Sequence, residues 1–349
     1  MSMPRLKSLL ERPRSSRTAQ PPGVSHIMHS VMLALVPGTL IYALVINPAI
    51  FVQILLCCIG AITAEAGALR LRKRAIAPTL SDGSAILAAW LLALAIPPIA
   101  PWWIAVSGGA LAMLLGKHMF GGLGHNPFNP AMVAYAFLLV SFPVQMTLWP
   151  IANAEAADSY TSIIQSLRAI AGMDLTAGIV STSSEWDAIT RPTPLDRIKH
   201  GEEPQLDAYG NFALQGWEWV NLAWLAGGLW LLWRKIITWH IPLCFLLALG
   251  LSHGLYALIP DSSAASPPLG PLTAIFSGSA MLGAFFIATD PVSAATTPVG
   301  RLIYAAGIGI LTFIIRQFSS YPEGIAFAVL LMNCAAPLID HYVTKKPNT

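Results

Sequence analysis

The sequence predicts an all-α integral membrane protein of about ten transmembrane helices in two inverted five-helix repeats, and three observations predict it. Hydrophobic residues make up 55% and charged residues 11% of 349 positions, and the mean hydropathy is +0.62, well outside the usage of soluble domains. Apolar runs of helix-spanning length lie near 27–46, 50–69, 84–99, 101–116, 130–149, 213–233, 236–258, 270–289, 299–317 and 323–341. The pentapeptide GSAIL at 83–87 returns as GSAML at 278–282.

The first 25 residues carry Arg5, Lys7, Arg12, Arg14 and Arg17 among prolines and serines and lack an apolar face, so a disordered tail is expected over 1–25. The run that follows is about 20 residues long, which suits an anchor better than a cleaved signal. Residues 26–149 then form the first repeat, 150–212 a long polar loop, 213–342 the second repeat and 343–349 a short tail. The runs are continuous rather than alternating, which argues against barrel strands, and the third and fourth are short.

Loop charges set the orientation. With the N-terminus inside, the cytoplasmic set is Arg5, Lys7, Arg12, Arg14, Arg17, Arg70, Arg72, Lys73, Arg74, Lys117, Arg234, Lys235, Arg301, Lys345 and Lys346, which is 15 of the 20 Lys and Arg. Both termini are then cytoplasmic and the 150–212 loop is periplasmic, in a bacterial inner membrane.

The two GSA segments open the third and eighth spans. Five spans separate them, an odd number, so the copies cross in opposite directions, the mark of an inverted repeat with binding sites near the interface of the halves. Helix breakers gather in GGLGHNPFNPAM (121–132) and ATDPVSAATTPVG (288–300), both on the expected cytoplasmic side. Backbone groups freed there must be satisfied by protein, ion or ligand. Asn126 and Asn129 offer amides suited to the edge of a heterocycle such as a flavin. Asn129 also reads as a helix N-cap with Pro130 at the first helical position, and the two roles are compatible.

Intramembrane acids are site candidates by default. Glu65 lies within the second span, Asp82 opens the third, Glu218 lies in the sixth and Asp290 closes the eighth. Two readings stand for Glu65, a cation or proton relay and a buried partner of the Arg70 cluster. Asp82 reads equally as the N-cap for Gly83 onward. Glu65, Asp82 and Asp290 are the ion-pathway candidates. Cys57, Cys58, Cys244 and Cys334 fall in apolar runs without metal-binding spacing and read as buried thiols; no metal site is expected. The tryptophans at span ends suit the membrane interface and need no cofactor to explain them.

The long loop holds SEWDAITRPTPLD at 184–196, where Asp187, Thr190 and Thr193 fall at steps of three. This pattern resembles the acceptor motif D-x-x-[ST]-G-A-T, on which flavin transferases join FMN through its phosphate to the final threonine. With the TPLD tail, GHNPFNPAM and the span layout, the chain resembles the D subunit of the Rnf ion-translocating electron-transport complex along nearly its whole length. A close relative is the B subunit of the sodium-pumping NADH:quinone reductase. The resemblance implies FMN in phosphoester linkage on Thr193, with Asp187 and Thr190 as recognition positions. It also implies a second flavin, riboflavin held without a covalent bond, placed at Asn126 and Asn129. Partners implied are the other Rnf subunits, including a second FMN-bearing one, and a flavin transferase; nucleic acid is not expected. The chain departs from the motif at Arg191 and Pro192, which replace the usual small residues and stiffen the approach to Thr193.

On this reading the chain is a subunit of a translocase rather than a complete enzyme. It passes electrons through FMN and then riboflavin while the complex moves sodium ions or protons. No G-x-G-x-x-G follows a strand, so NADH or ferredoxin would be oxidised by partner subunits. The competing class is an inverted-repeat transporter or channel without a redox role, for which the loop is a lid or an assembly surface.

Overall fold

A computed structural model describes residues 23–150, 159–172, 193–199, 216–259, 269–319, 321 and 323–344. Asp187 and Thr190, and nearly all of the 1–25 and 343–349 tails, lie outside the described residues. The regular elements are helices: α1 Val24–Val45, α2 Ile50–Leu71, α3 Ile76–Leu80, α4 Ser84–Ala95, α5 Trp102–Leu111, α6 Pro130–Ser141, α7 Pro143–Thr147, α8 Ser159–Ala171, α9 Pro194–Lys199, α10 Trp217–Trp233, α11 His240–Ala257, α12 Pro271–Phe276, α13 Ala280–Leu282, α14 Pro298–Phe318 and α15 Ile325–Thr344. Two widen into π-helix, α5 over Ala112–His118 and α13 over Gly283–Ile287.

Among the described residues, five helices (α1, α2, α11, α14 and α15) are long and apolar enough to cross a membrane. The other expected spans fall on shorter or interrupted helices, for local reasons. After α4, Pro97, Pro98 and Pro101 remove the backbone donors that would carry the third run onward. Pro143 breaks the fifth run at Phe142, and the eighth breaks at Ser277–Ser279, where Gly278 is left-handed with φ 57°. Gly83 takes the same hand, with φ 79°, at the start of α4. Both GSA copies therefore mark a helix that restarts after a break.

Around the outside the helices show apolar stripes. Leu243, Leu247, Leu251 and Leu255 follow one another at every fourth position of α11 and are all exposed, a surface that lipid covers at no cost and water would not. The same all-round apolarity corrects the expectation for the cysteines: Cys57 is buried, but Cys58 and Cys244 are half-buried and Cys334 faces outward.

Inside, glycines let backbones touch. A Cβ on Gly109 of α5 would lie 2.1 Å from the Cys57 carbonyl oxygen of α2, and one on Gly60 would lie 2.0 Å from the Val106 oxygen. Gly309 of α14 stands 2.6 Å, by the same measure, from the Phe245 oxygen of α11, and Gly227 of α10 is 2.2 Å from the Ala34 oxygen of α1. Association by close backbone packing is how helices attract without a hydrophobic effect between them. Gly109→Val is expected to cost about 1–3 kcal/mol or more as α2 and α5 are forced apart. Gly67→Ala, with open space around it, is expected to be neutral or to gain up to about 1 kcal/mol of helix propensity. Thermal unfolding in detergent separates the two.

Candidate functional site

Among the described residues, one cavity opens at the Thr193 end of the helix bundle and another at the Asn129 end. The first lies beneath Thr193, with a volume of about 1050 Å³ counting its mouth and the open space before it. Thr193 precedes α9 and shares a reciprocal bond with its first turn. Its Oγ1 donates to Asp196 Oδ2 at 3.0 Å and accepts from the Asp196 amide at 3.3 Å. Leu195, 6% exposed, anchors α9 in the body, and Lys199 Nζ donates to the Ser319 and Tyr321 carbonyls. Burial holds Lys199 below the ordinary lysine range while Asp196 pulls it upward. Thr193 is thus held over the cavity rather than projecting from a free loop.

The walls are aromatic and apolar: Tyr135, Trp149, Trp217, Leu282 and Tyr321 line them, with Glu323 and Ser279 below. Trp217 meets Trp149 edge-on at 5.9 Å and Tyr42 at 5.7 Å. The tryptophans expected to serve only the interface therefore include two that wall a cavity. Beneath it, Glu323 is held by Arg316 through Nε at 3.2 Å and Nη2 at 3.0 Å to both carboxylate oxygens. Arg316 also donates to the Ala274 and Ser277 carbonyls, and Glu323 accepts from the Ser279 amide at 2.9 Å, satisfying the break before α13. The signal for Arg316 was present in the sequence, since an arginine inside an apolar run is expensive unless it is used.

The second cavity, about 780 Å³ counting the open space before it, brings together both breaker segments. Asn129 caps α6: its Oδ1 accepts from the Ala131 amide at 3.0 Å and the Met132 amide at 3.3 Å, with Pro130 first in the helix, while Nδ2 donates to the Ile287 carbonyl. The cap reading therefore holds, and it leaves Asn129 little capacity for anything else. Asn126, 2% exposed, donates to the Phe128 carbonyl, but its Oδ1 is buried with no partner among the described residues. Asp290 lies on the opposite segment, accepting from Ser293 Oγ at 2.8 Å and the Val292 amide at 3.3 Å. Its desolvated surroundings push the carboxyl above the usual range, against the pull of those bonds. The 288–300 segment is tied down by Asp340, which accepts from the amides of Thr296 and Thr297.

Glu65 and Asp82 meet in one network behind this cavity. Glu65 is fully buried and paired with Lys117, itself 1% exposed, so its partner is not the Arg70 cluster. Lys117 Nζ also donates to Ser84 Oγ at 2.6 Å, and Ser84 donates in turn to Asp82 Oδ1 at 2.5 Å. Asp82 accepts from the Ser84 amide at 2.7 Å as well. It caps α4 from one residue before the Gly83 boundary, because Gly83 has no side chain to do so. Lys117, counted in sequence as a loop charge, is a buried wall residue of the cavity. The π-helical turn of α5 carries it there, and such turns are frequent at functional sites. His118 Nε2 stands 3.6 Å from Glu65 Oε1, and among the described residues neither ring nitrogen of His118 nor Glu65 Oε2 has a hydrogen-bond partner.

The chemistry of both cavities fits a flavin. The Thr193 cavity offers a hydroxyl at its mouth and aromatic faces inside; the Asn129 cavity offers an orphan amide acceptor, a buried ammonium and apolar walls. Among the described residues no cluster of His, Cys, Asp and Glu could hold a metal ion.

A family model described as the NQR2, RnfD, RnfE family matches residues 14–348. A protein of Klebsiella pneumoniae (strain 342), named as the D subunit of an ion-translocating oxidoreductase complex, is 48% identical over 332 residues, covering 91% of this chain and 93% of its own. One of the same name from Escherichia coli (strain SMS-3-5 / SECEC) is 47% identical over 329 residues, covering 91% and 92%.

Proposed function

Because this chain belongs to the NQR2, RnfD, RnfE family, we propose that it is a flavin-bearing membrane subunit of an ion-translocating oxidoreductase complex, with FMN esterified to Thr193 and riboflavin held non-covalently in the Asn129 cavity. The observation that carries this reading is the cavity directly beneath Thr193, walled by Tyr135, Trp149 and Trp217. Bound flavins would supply the one-electron redox chemistry. The chain's own part is placement. α9 holds Thr193 over its cavity, so a tether there keeps its cargo at high effective concentration. Esterification removes the hydroxyl proton that Thr193 gives Asp196, so that bond is surrendered on loading. At the other end, Asn126 Oδ1 is positioned to accept from a ring N–H, and Asn129 holds the α6 start and the Ile287 turn in place.

Ten crossings in two inverted halves are supported by matched parts. Each half has a short helix, a break ending in a left-handed glycine and a restart at Ser-Ala: α3, Gly83 and α4, then α12, Gly278 and α13. Each restart is capped by a carboxylate, Asp82 on Ser84 and Glu323 on Ser279. Behind each stands a buried cation, Lys117 at the end of α5 and Arg316 at the end of α14. Because Arg70, Arg72, Lys73, Arg74, Arg234, Lys235 and Arg301 gather at the Asn129 end, that end is read as cytoplasmic and the Thr193 end as periplasmic.

The reading is tested by acid precipitation of the complex after expression with a flavin transferase. One flavin is expected to stay with this chain and one to be extracted. Asn126→Leu is expected to lose the extractable flavin and keep the other; loss of both or of neither would count against the assignment.

A further inference from the structure

The two buried cations are not equivalent in freedom. Arg316 is pinned by two backbone carbonyls and both oxygens of Glu323. Among the described residues Lys117 uses two of its three donors, on Glu65 Oε1 and Ser84 Oγ, and the pocket around it holds buried polar atoms without partners there, namely Glu65 Oε2, Asn126 Oδ1 and both nitrogens of His118. Native interiors rarely leave so many groups unsatisfied in one place. Lys117 and Ser84 line the Asn129 cavity directly, whereas Glu65 stands behind them. An ammonium is a compact charge on a flexible stem, able to trade one acceptor for another, as a guanidinium fixed by five bonds is not.

We propose that Lys117 is the residue through which charge in the Asn129 cavity is communicated to Glu65. With the cavity electrically neutral, Lys117 pairs with Glu65, as seen here. A negatively charged isoalloxazine ring held in this cavity would compete for the ammonium and loosen its hold on Glu65, leaving that carboxylate open to an incoming cation. No bond would be made or broken, and the cation would balance the added charge. The inference rests on the flavin reading of this cavity.

The two side chains should therefore act in opposite directions on the preference of the cavity for reduced over oxidised flavin. The test is equilibrium dialysis of riboflavin into the whole complex, stripped of extractable flavin, with the ligand oxidised or dithionite-reduced at mildly alkaline pH, where the reduced ring is anionic. Lys117→Met is expected to lower that preference about tenfold, the worth of one charge-assisted hydrogen bond. Lys117→Arg should largely keep it, and Glu65→Gln should raise it by releasing the ammonium toward the cavity. Because Lys117→Met leaves Glu65 buried without its cation, the double variant Glu65→Gln/Lys117→Met serves as the folded neutral reference and should match Lys117→Met. Binding that persists in every variant with an unchanged ratio overturns the inference, and so does an equal loss of both forms, since a residue that only shapes the wall weakens both alike. No binding of either form by the wild type would instead overturn the flavin reading of the cavity and this inference with it.

Discussion

Thr193→Val is expected to abolish flavin fluorescence that survives denaturation, while the extractable flavin remains. The substitution removes the cavity-lining hydroxyl just before α9 and leaves the volume of the side chain nearly unchanged. Its structural cost is the loss of one reciprocal bond to Asp196, about 1 kcal/mol by the measure of a helix cap. Anchoring by Leu195 and Lys199 is untouched, so the protein should accumulate normally. On the flavin-bearing reading, electron flow through the complex should fall to a small fraction of the wild-type rate. Thr193→Ser should retain part of the modification. In a transporter without redox role, neither variant would change any flavin signal.

Glu65→Gln is expected to destabilise the chain by about 3–5 kcal/mol, because removing one partner of a buried pair leaves the other charge uncompensated. Lys117→Met should cost a similar amount, and the double variant should recover most of the loss. Labelling of the buried thiol of Cys57, one helix with Glu65, reports the opening. A double variant as unstable as the single ones would mean that the pair does not act as a unit. Covalent flavin on Thr193, at the other end of the bundle, should be unaffected in all three.

Much of this arrangement was legible in the sequence. The apolar runs gave away the helices, the repeated GSA segment marked both restarts, and N-P-x-N-P announced the cap at α6. What escaped was pairing between residues far apart in the chain. Lys117 lies at a span end, where lysines usually reach water, and nothing local says that it folds back to Glu65, 52 residues earlier. Arg316 was visible as a costly arginine, but its carboxylate, Glu323, sits beyond the helix end. Trp149 and Trp217 have the positions of interface anchors, and only the closing of α9 over them makes them cavity walls. The interruption of the third, fifth and eighth runs depended on a few prolines and one left-handed glycine, which a hydropathy average smooths away. The Asp187 and Thr190 part of the acceptor motif lies outside the described residues.

The most direct measurement is the mass of the tryptic peptide that carries Thr193, taken from the wild-type chain made in a membrane with its flavin transferase. Pro192 protects the Arg191 bond, so one peptide should run from Ala169 to Arg197. The flavin-bearing reading predicts that this peptide is heavier by one FMN less one water and that fragmentation places the addition on Thr193 rather than on Thr176, Thr182 or Thr190. An unmodified peptide, or a flavin on any other residue, would contradict it.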